Sequence, residues 1–229
     1  MVERAPVIAI DGPGGAGKGA VSQLVARQLG WHLLDSGSLY RITAFAAQQK
    51  GIALNDSRAV AAVAAALDVR FAEAPDGVAV ILDNNDITAS IRTEKAGSDA
   101  SIVAADPAVR QALIARQQAF AQPPGLVADG RDMGSVVFPA AGLKIFLTAS
   151  VAERARRRYK QLKDKGMDVS LPALSRDMEE RDRRDSERLV APLRAADEAR
   201  ILDSTNLTIQ EVVEQIMSWA REVYPAQTC

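Results

Sequence analysis

The stretch from Ile10 to Ala20 reads IDGPGGAGKGA. Gly12, Gly14, Gly15 and Gly17, with Pro13 and Ala16 among them, precede Lys18 and Gly19, which gives the spacing GxxxxGK of a phosphate-cradling loop. The glycines allow a tight turn whose N–H groups point inward at phosphate oxygens, and the positive end of a following helix adds to that field. Lys18 would reach the terminal phosphates as a mobile point charge. The plainer alternative is a glycine-rich strand-to-helix turn with a surface lysine. The full spacing, flanked by the apolar Val7 to Ile10 and a helical pattern, favours nucleotide binding. One position departs from the usual pattern: Gly19 stands where Ser or Thr normally follows the lysine, and Ala20 follows it. A missing hydroxyl bond to an ionised phosphate costs about 1.5–3 kcal/mol, less if water substitutes, so binding is expected to weaken and persist.

A second group of charges lies further along. Between Arg154 and Arg194 fall 13 of the 28 Lys and Arg residues, mixed with Asp and Glu, which reads mainly as a solvated helix pair laced with i,i+4 ion pairs. A subset is expected to face a polyphosphate. Arg181, Asp185 and Arg188 are spaced i, i+4, i+7, so one helix face would present all three, as an ion-pair ladder or as ligand contacts. Asp11, Asp35, Asp129 and Asp203 each close an apolar run, and for Asp203 a helix-capping role is the better reading. His32, the only histidine, sits in an apolar run and is expected to be structural.

These residues need elements to position them. Short apolar runs at Val7–Ile10, Trp31–Asp35, Leu126–Ala128, Leu143–Leu147 and Ile201–Asp203 read as buried strands. Helical patterns between them run from Gly17 to Leu29, from near Ser38, through the alanine-rich 59–67 capped by Asn55 or Asp56, from Thr93, and from Asp106–Pro107 to Phe120. Further helices run from Val151 to Lys165 before Gly166, after Leu171–Pro172 to about Arg188, and from Thr208 to Tyr224. Strands alternating with helices predict an α/β fold: a three-layer parallel sheet flanked by helices, with its ligand outside the strand C-termini. Val69–Phe71 and Val78–Leu82 around Pro75-Asp76-Gly77 predict a small antiparallel insert, with a further turn at Asn84–Asp86.

Composition bounds the rest. At 229 residues and 48% hydrophobic, the chain fits one core with small appended segments. A net charge of −1 argues against a general nucleic-acid binder, and Tyr159 is the one stacking aromatic in the basic run ERARRRYK. The alanine-rich stretches are too short to span a bilayer, and Glu3, Arg4 and Pro6 do not suit a secretory leader. The single cysteine, Cys229, leaves no internal disulfide and no thiolate metal site. A cytoplasmic protein without a membrane or nucleic-acid partner, monomeric for want of a long apolar helix face, is the expectation.

The segments GPGGAGKG, LLDSGSLYR (Leu33 to Arg41), ADGRDMGSVVFP (Ala128 to Pro139), ERDRRDSERLVAPL (Glu180 to Leu193) and DSTNLT (Asp203 to Thr208) together resemble bacterial cytidylate kinases over nearly the whole chain. These belong to the nucleoside-monophosphate kinases, whose loop reads GKG followed by Thr or Ser. The resemblance implies a P-loop kinase core over 1–229, with a CMP-binding insert at about 36–91 and a lid at about 154–170. It implies transfer of the γ-phosphate of ATP to CMP or dCMP, with Mg²⁺ held mainly by the ATP phosphates and water and no protein metal site. Lys18, Arg131 and Arg181 become the expected catalytic cations. ATP would be held by the loop from Gly12 to Ala20 with Arg154 and Arg158, although Arg156 and Arg157 compete for those roles. CMP would be held by Asp35, Ser36, Arg41, Arg131, Arg181, Asp185 and Arg188, its base read by Ser101, Arg110 and Asp132. Asp132 would accept from the cytosine amine, which UMP lacks. Other readings are a kinase for UMP or shikimate, a non-catalytic nucleotide binder suggested by Ala20, and an RNA-binding protein.

Overall fold

The structure, a computed structural model, describes residues 5–74, 77–164 and 166–225. Pro75 and Asp76 of the expected hairpin turn lie outside the described residues, as do Glu3, Arg4, Lys165 and Cys229. The chain forms two compact units, one from residues 1–35 with 117–229 and one from residues 36–116.

The first unit begins with β1 (Val7–Asp11), buried along its whole length, which suits a strand covered on both faces. The glycine-rich loop leads to α1 (Lys18–Leu29), whose N-cap Gly17 has φ 92°. Gly30 closes α1 in the left-handed conformation, and the Trp31 N–H returns to Ala26 O. β2 (His32–Asp35) follows.

The second unit opens with α2 (Ser36–Gln49), two residues earlier than the pattern suggested. α3 (Ser57–Ala65) is capped by Asp56, which accepts from the Ala59 N–H. β3 (Val69–Ala74), β4 (Gly77–Leu82) and β5 (Asn85–Asp86) form an antiparallel sheet. The second turn falls on Asp83 and Asn84, both at positive φ, one residue ahead of the expected site, leaving Asn85 and Asp86 to pair with β4. α4 (Thr88–Ile91), α5 (Glu94–Ala104) and α6 (Pro107–Gln118) follow, with Thr93 capping α5. This unit runs to Arg116, with α5 packed along α2.

The chain then returns to the first unit with β6 (Leu126–Gly130), a π-helical turn (Met133–Val137) and β7 (Leu143–Thr148). α7 (Val151–Asp164), α8 (Leu171–Glu187), β8 (Arg200–Asp203) and α9 (Ile209–Val223) complete it. Five strands form one parallel sheet in the order β2-β6-β1-β7-β8, so β1 sits at its centre. Ile8, Ile10, Val25, Val127, Ile145, Leu147, Val213 and Ile216 fill the core between the sheet and the flanking α1 and α9. A reciprocal Thr208–Glu211 capping box starts α9, and the Tyr224 hydroxyl beyond its end donates to Val7 O at 2.8 Å.

Three details differ from the sequence reading. Pro172 lies inside the first turn of α8, where its missing N–H costs nothing. Arg188 lies just past that helix with an extended backbone, so the expected face of Arg181, Asp185 and Arg188 loses its last member. Further on, Ala191 before Pro192 takes φ 50°, off the helical path. The helix expected through Phe120 ends at Gln118. His32 is exposed at the sheet edge and its Nε2 donates to Pro123 O at 3.0 Å, a structural contact.

Candidate active site

The C-terminal ends of β1 and β6 and the N-terminus of α1 bring the charged residues of the first unit together. Lys18 is buried, donates to Pro13 O at 2.9 Å and lies 3.9 Å from Asp129 Oδ1. Asp129 also reaches Gly19, where an added Cβ would stand 3.7 Å from its Oδ2. Arg131 and Arg181 converge on Gly14: a Cβ there would lie 3.6 Å from a guanidinium nitrogen of each. Asp185 of α8 is buried and accepts from Arg131 Nε at 3.1 Å. Two of the three expected catalytic cations thus meet at the loop, with the third at its helical end.

Burial lowers the Lys18 pKa from 10.5 to about 7; the charges of Arg131 and Arg181 add to this, against Asp129 and Asp11. A polyphosphate reverses that balance, because its charge favours the ammonium form. Binding of ATP at pH 8 is therefore expected to draw protons from solution. Calorimetry in two buffers of different ionisation enthalpy checks this, and a buffer-independent heat would contradict it.

The basic helix pair sorts its arginines sharply. Arg154 is buried, donates to Ala149 O at 3.0 Å and Gly14 O at 2.8 Å, and pairs with Asp182 through both guanidinium nitrogens. Arg157, which the sequence left as a competitor of Arg154 and Arg158, lies beside Gly17, 3.9 Å from where a Cβ would be, and is held by Ser204 and Glu153. Arg158 bonds Gln161 along its own helix at 3.2 Å. Arg156 with Glu153, Arg183 with Glu187 and Arg184 with Glu180 are the expected intrahelical pairs.

Asp132 is buried and 3.9 Å from Arg188, whose Nε donates to Ala191 O. Asp11, which the sequence marked only as closing an apolar run, is buried where β1 ends and accepts from the Met133 and Gly134 N–H groups at 2.8 Å each. Burial raises its pKa to about 7 despite those two bonds. Asp203 accepts from Thr205, a local turn contact. Asp35 is exposed at the end of β2.

The second unit carries Ser36, Arg41, Ser101 and Arg110. Ser36, Ser101 and Arg110 are buried; Arg110 donates to Ala104 O at 3.2 Å and its guanidinium lies 5.8 Å from the Tyr40 ring centre. Arg41, with Phe45, Gln48, Thr93 and Asp99, lines a pocket of about 210 Å³ in this unit.

The family model for cytidylate kinase matches residues 8–222. The chain belongs to the cytidylate kinase family. A cytidylate kinase of Pseudomonas paraeruginosa is 60% identical over 214 residues, 93% of each chain. That of Azotobacter vinelandii is 57% identical over 220 residues, covering 95% of this chain and 96% of the other. Among solved structures, an unliganded sugar kinase from Janibacter sp. HTCC2649 overlaps 98% of this chain and 99% of its own at 14% identity and a TM-score of 0.45, too distant to bear on the argument. As a cytidylate kinase family member the chain is a transferase that uses ATP. Among the described residues, no helix is long and apolar enough to cross a membrane.

Proposed function

We propose that the protein transfers the γ-phosphoryl group of Mg²⁺-ATP to CMP or dCMP, giving ADP and CDP or dCDP. The observation that carries this reading is the convergence of Arg131 and Arg181 on Gly14 of a loop that ends in Lys18, within a chain of the cytidylate kinase family. Phosphoryl transfer has little covalent work for a protein to do; it needs positioning and positive charge around the moving group. A phosphate oxygen of CMP attacks the γ-phosphorus, and the bond to the ADP oxygen breaks. Lys18 and the loop N–H groups hold the donor, while Arg131 and Arg181 bear on the charge shared between donor and acceptor. Asp185 fixes Arg131, and Arg154 and Arg157 belong to the donor side.

For the acceptor we assign Asp35, Ser36, Arg41, Arg181, Asp185 and Arg188 to the sugar and phosphate, and Ser101, Arg110 and Asp132 to the base. Residues 36–116 would be the acceptor-binding unit, and the α7–α8 connection at about 154–170 the lid. With Ala20 in place of a hydroxyl, Mg²⁺ is carried mainly by phosphates and water, which its octahedral preference allows. Asp129, beside Lys18 and Gly19, is the carboxylate that would face it. When bound, Mg²⁺ neutralises phosphate charge. The protein works as a monomer in the cytoplasm.

The test is an acceptor panel with Mg²⁺-ATP, following ADP formation. CMP and dCMP are expected to be phosphorylated at least about 100-fold more efficiently than UMP, AMP or shikimate, since a site built to bond an amine rejects an analogue lacking it. Binding of ATP and CMP without turnover would replace this reading with a non-catalytic nucleotide binder.

A further inference from the structure

We propose that Asp11 is a positioning residue for base selection: by capping the π-helical turn Met133–Val137 from another strand, it leaves the Asp132 carboxylate to the acceptor base. The proposal rests on the reading of Asp132 as the group that accepts from the cytosine amine. The first N–H groups of any helical turn lack intrahelical partners. An aspartate at the N-cap ordinarily satisfies them with its own side chain. Asp132 occupies that N-cap position, yet its side chain makes no capping bond. The bonds come instead from Asp11, 122 residues away from Met133 in sequence: the Met133 N–H donates to Oδ1 and the Gly134 N–H to Oδ2, both at 2.8 Å.

Each oxygen of Asp11 therefore holds one N–H, and the side chain is only 3% exposed, so water does not share the task. The Asp132 carboxylate lies 3.9 Å from Arg188 and makes no capping bond to the turn it precedes. Such a division is costly. Two carboxylates are buried near each other, and the charge of Asp132 disfavours ionisation of Asp11. Self-capping by Asp132 would need only one of them. A second buried carboxylate makes physical sense if the first is wanted elsewhere. The same two bonds tie the end of β1, immediately before the phosphate loop, to the peptide that carries Arg131 and Asp132.

Replacing Asp11 by asparagine turns an amide NH₂ toward one of the two N–H groups. The nearest substitute acceptor is the Asp132 carboxylate one or two residues back, and taking up that cap withdraws it from the base. The experiment compares kcat/KM for CMP with that for UMP in wild type, Asp11→Asn, Asp132→Asn and the double variant. Asp11→Asn is expected to lower the CMP/UMP ratio about tenfold or more, the worth of one charged hydrogen bond. The double variant should show a ratio no lower than Asp132→Asn alone, because both changes act through one carboxylate. A ratio unchanged in Asp11→Asn but collapsed in Asp132→Asn overturns the positioning role and leaves the cytosine reading standing. Equal losses for both acceptors with a lowered Tm mark Asp11 as merely structural and also overturn it. A ratio unchanged in Asp132→Asn overturns the cytosine reading and this proposal together. Should Asp11→Asn not fold, Asp11→Ser, whose hydroxyl can accept from only one of the N–H groups, is read in the same way.

Discussion

Arg181→Ala is expected to cut kcat for CMP phosphorylation by about three orders of magnitude, the scale on which a single transition-state arginine acts in phosphoryl transfer. Its guanidinium stands with that of Arg131 at Gly14, and the two charges add to the burial that chiefly depresses the Lys18 pKa. Asp185 secures Arg131 through an ion pair at 3.1 Å. Arg181 is half-buried on α8 and outside the hydrophobic core, so the melting temperature should move little. Steady-state kinetics beside a thermal melt separate the outcomes: a normal kcat would remove Arg181 from the chemistry, and a collapsed Tm would reassign it to folding.

Gly12→Ala should produce the largest stability loss of any single methyl group added to the loop. An alanine Cβ at this position would stand 1.9 Å from Leu147 O, a backbone atom of β7, and φ is 149°. A flexible side chain could step aside; a carbonyl in the sheet cannot. β1 and β7 would have to separate where Asp11 pairs with Phe146, at a cost of about 3 kcal/mol or more. For a chain of this size that corresponds to roughly 6–12 °C in Tm. A melt within 2 °C of wild type, on the order of 1 kcal/mol or less, would show that β7 yields more readily than its buried residues suggest.

What could be read from the sequence was whatever is decided locally. The alternation of apolar runs and helical patterns foretold the parallel sheet, and Asp56, Thr93 and Thr208 announced their helices because caps act within three residues. The glycine-rich turn into α1 is equally local. Asp11 was not legible as a cap, since its partners lie 122 and 123 residues away and nothing in IDGPGG points to them. The π-helical turn has no pattern of its own in MGSVV. Among the crowded arginines of α7, positions 154, 157 and 158 fall on one helical stripe, so periodicity alone had no means of choosing. Asp182 of α8 and Ser204 after β8 settle what Arg154 and Arg157 touch. The extent of the second unit followed from packing of α5 on α2, a contact between residues dozens apart.

The order of strands across the sheet has a consequence for how the protein is made. β1 leaves the ribosome before both of its neighbours, β6 and β7, which are residues 126–130 and 143–148. At typical synthesis rates the nascent strand waits roughly ten seconds for either edge to find a mate. In that interval residues 36–116 can settle through hairpin and helix contacts of their own. Meanwhile VIAI, the stickiest tetrapeptide near the start of the chain, stays bare. β1, with the glycine-rich loop that follows it, therefore gains its sheet neighbours only once residues 126–148 have been made.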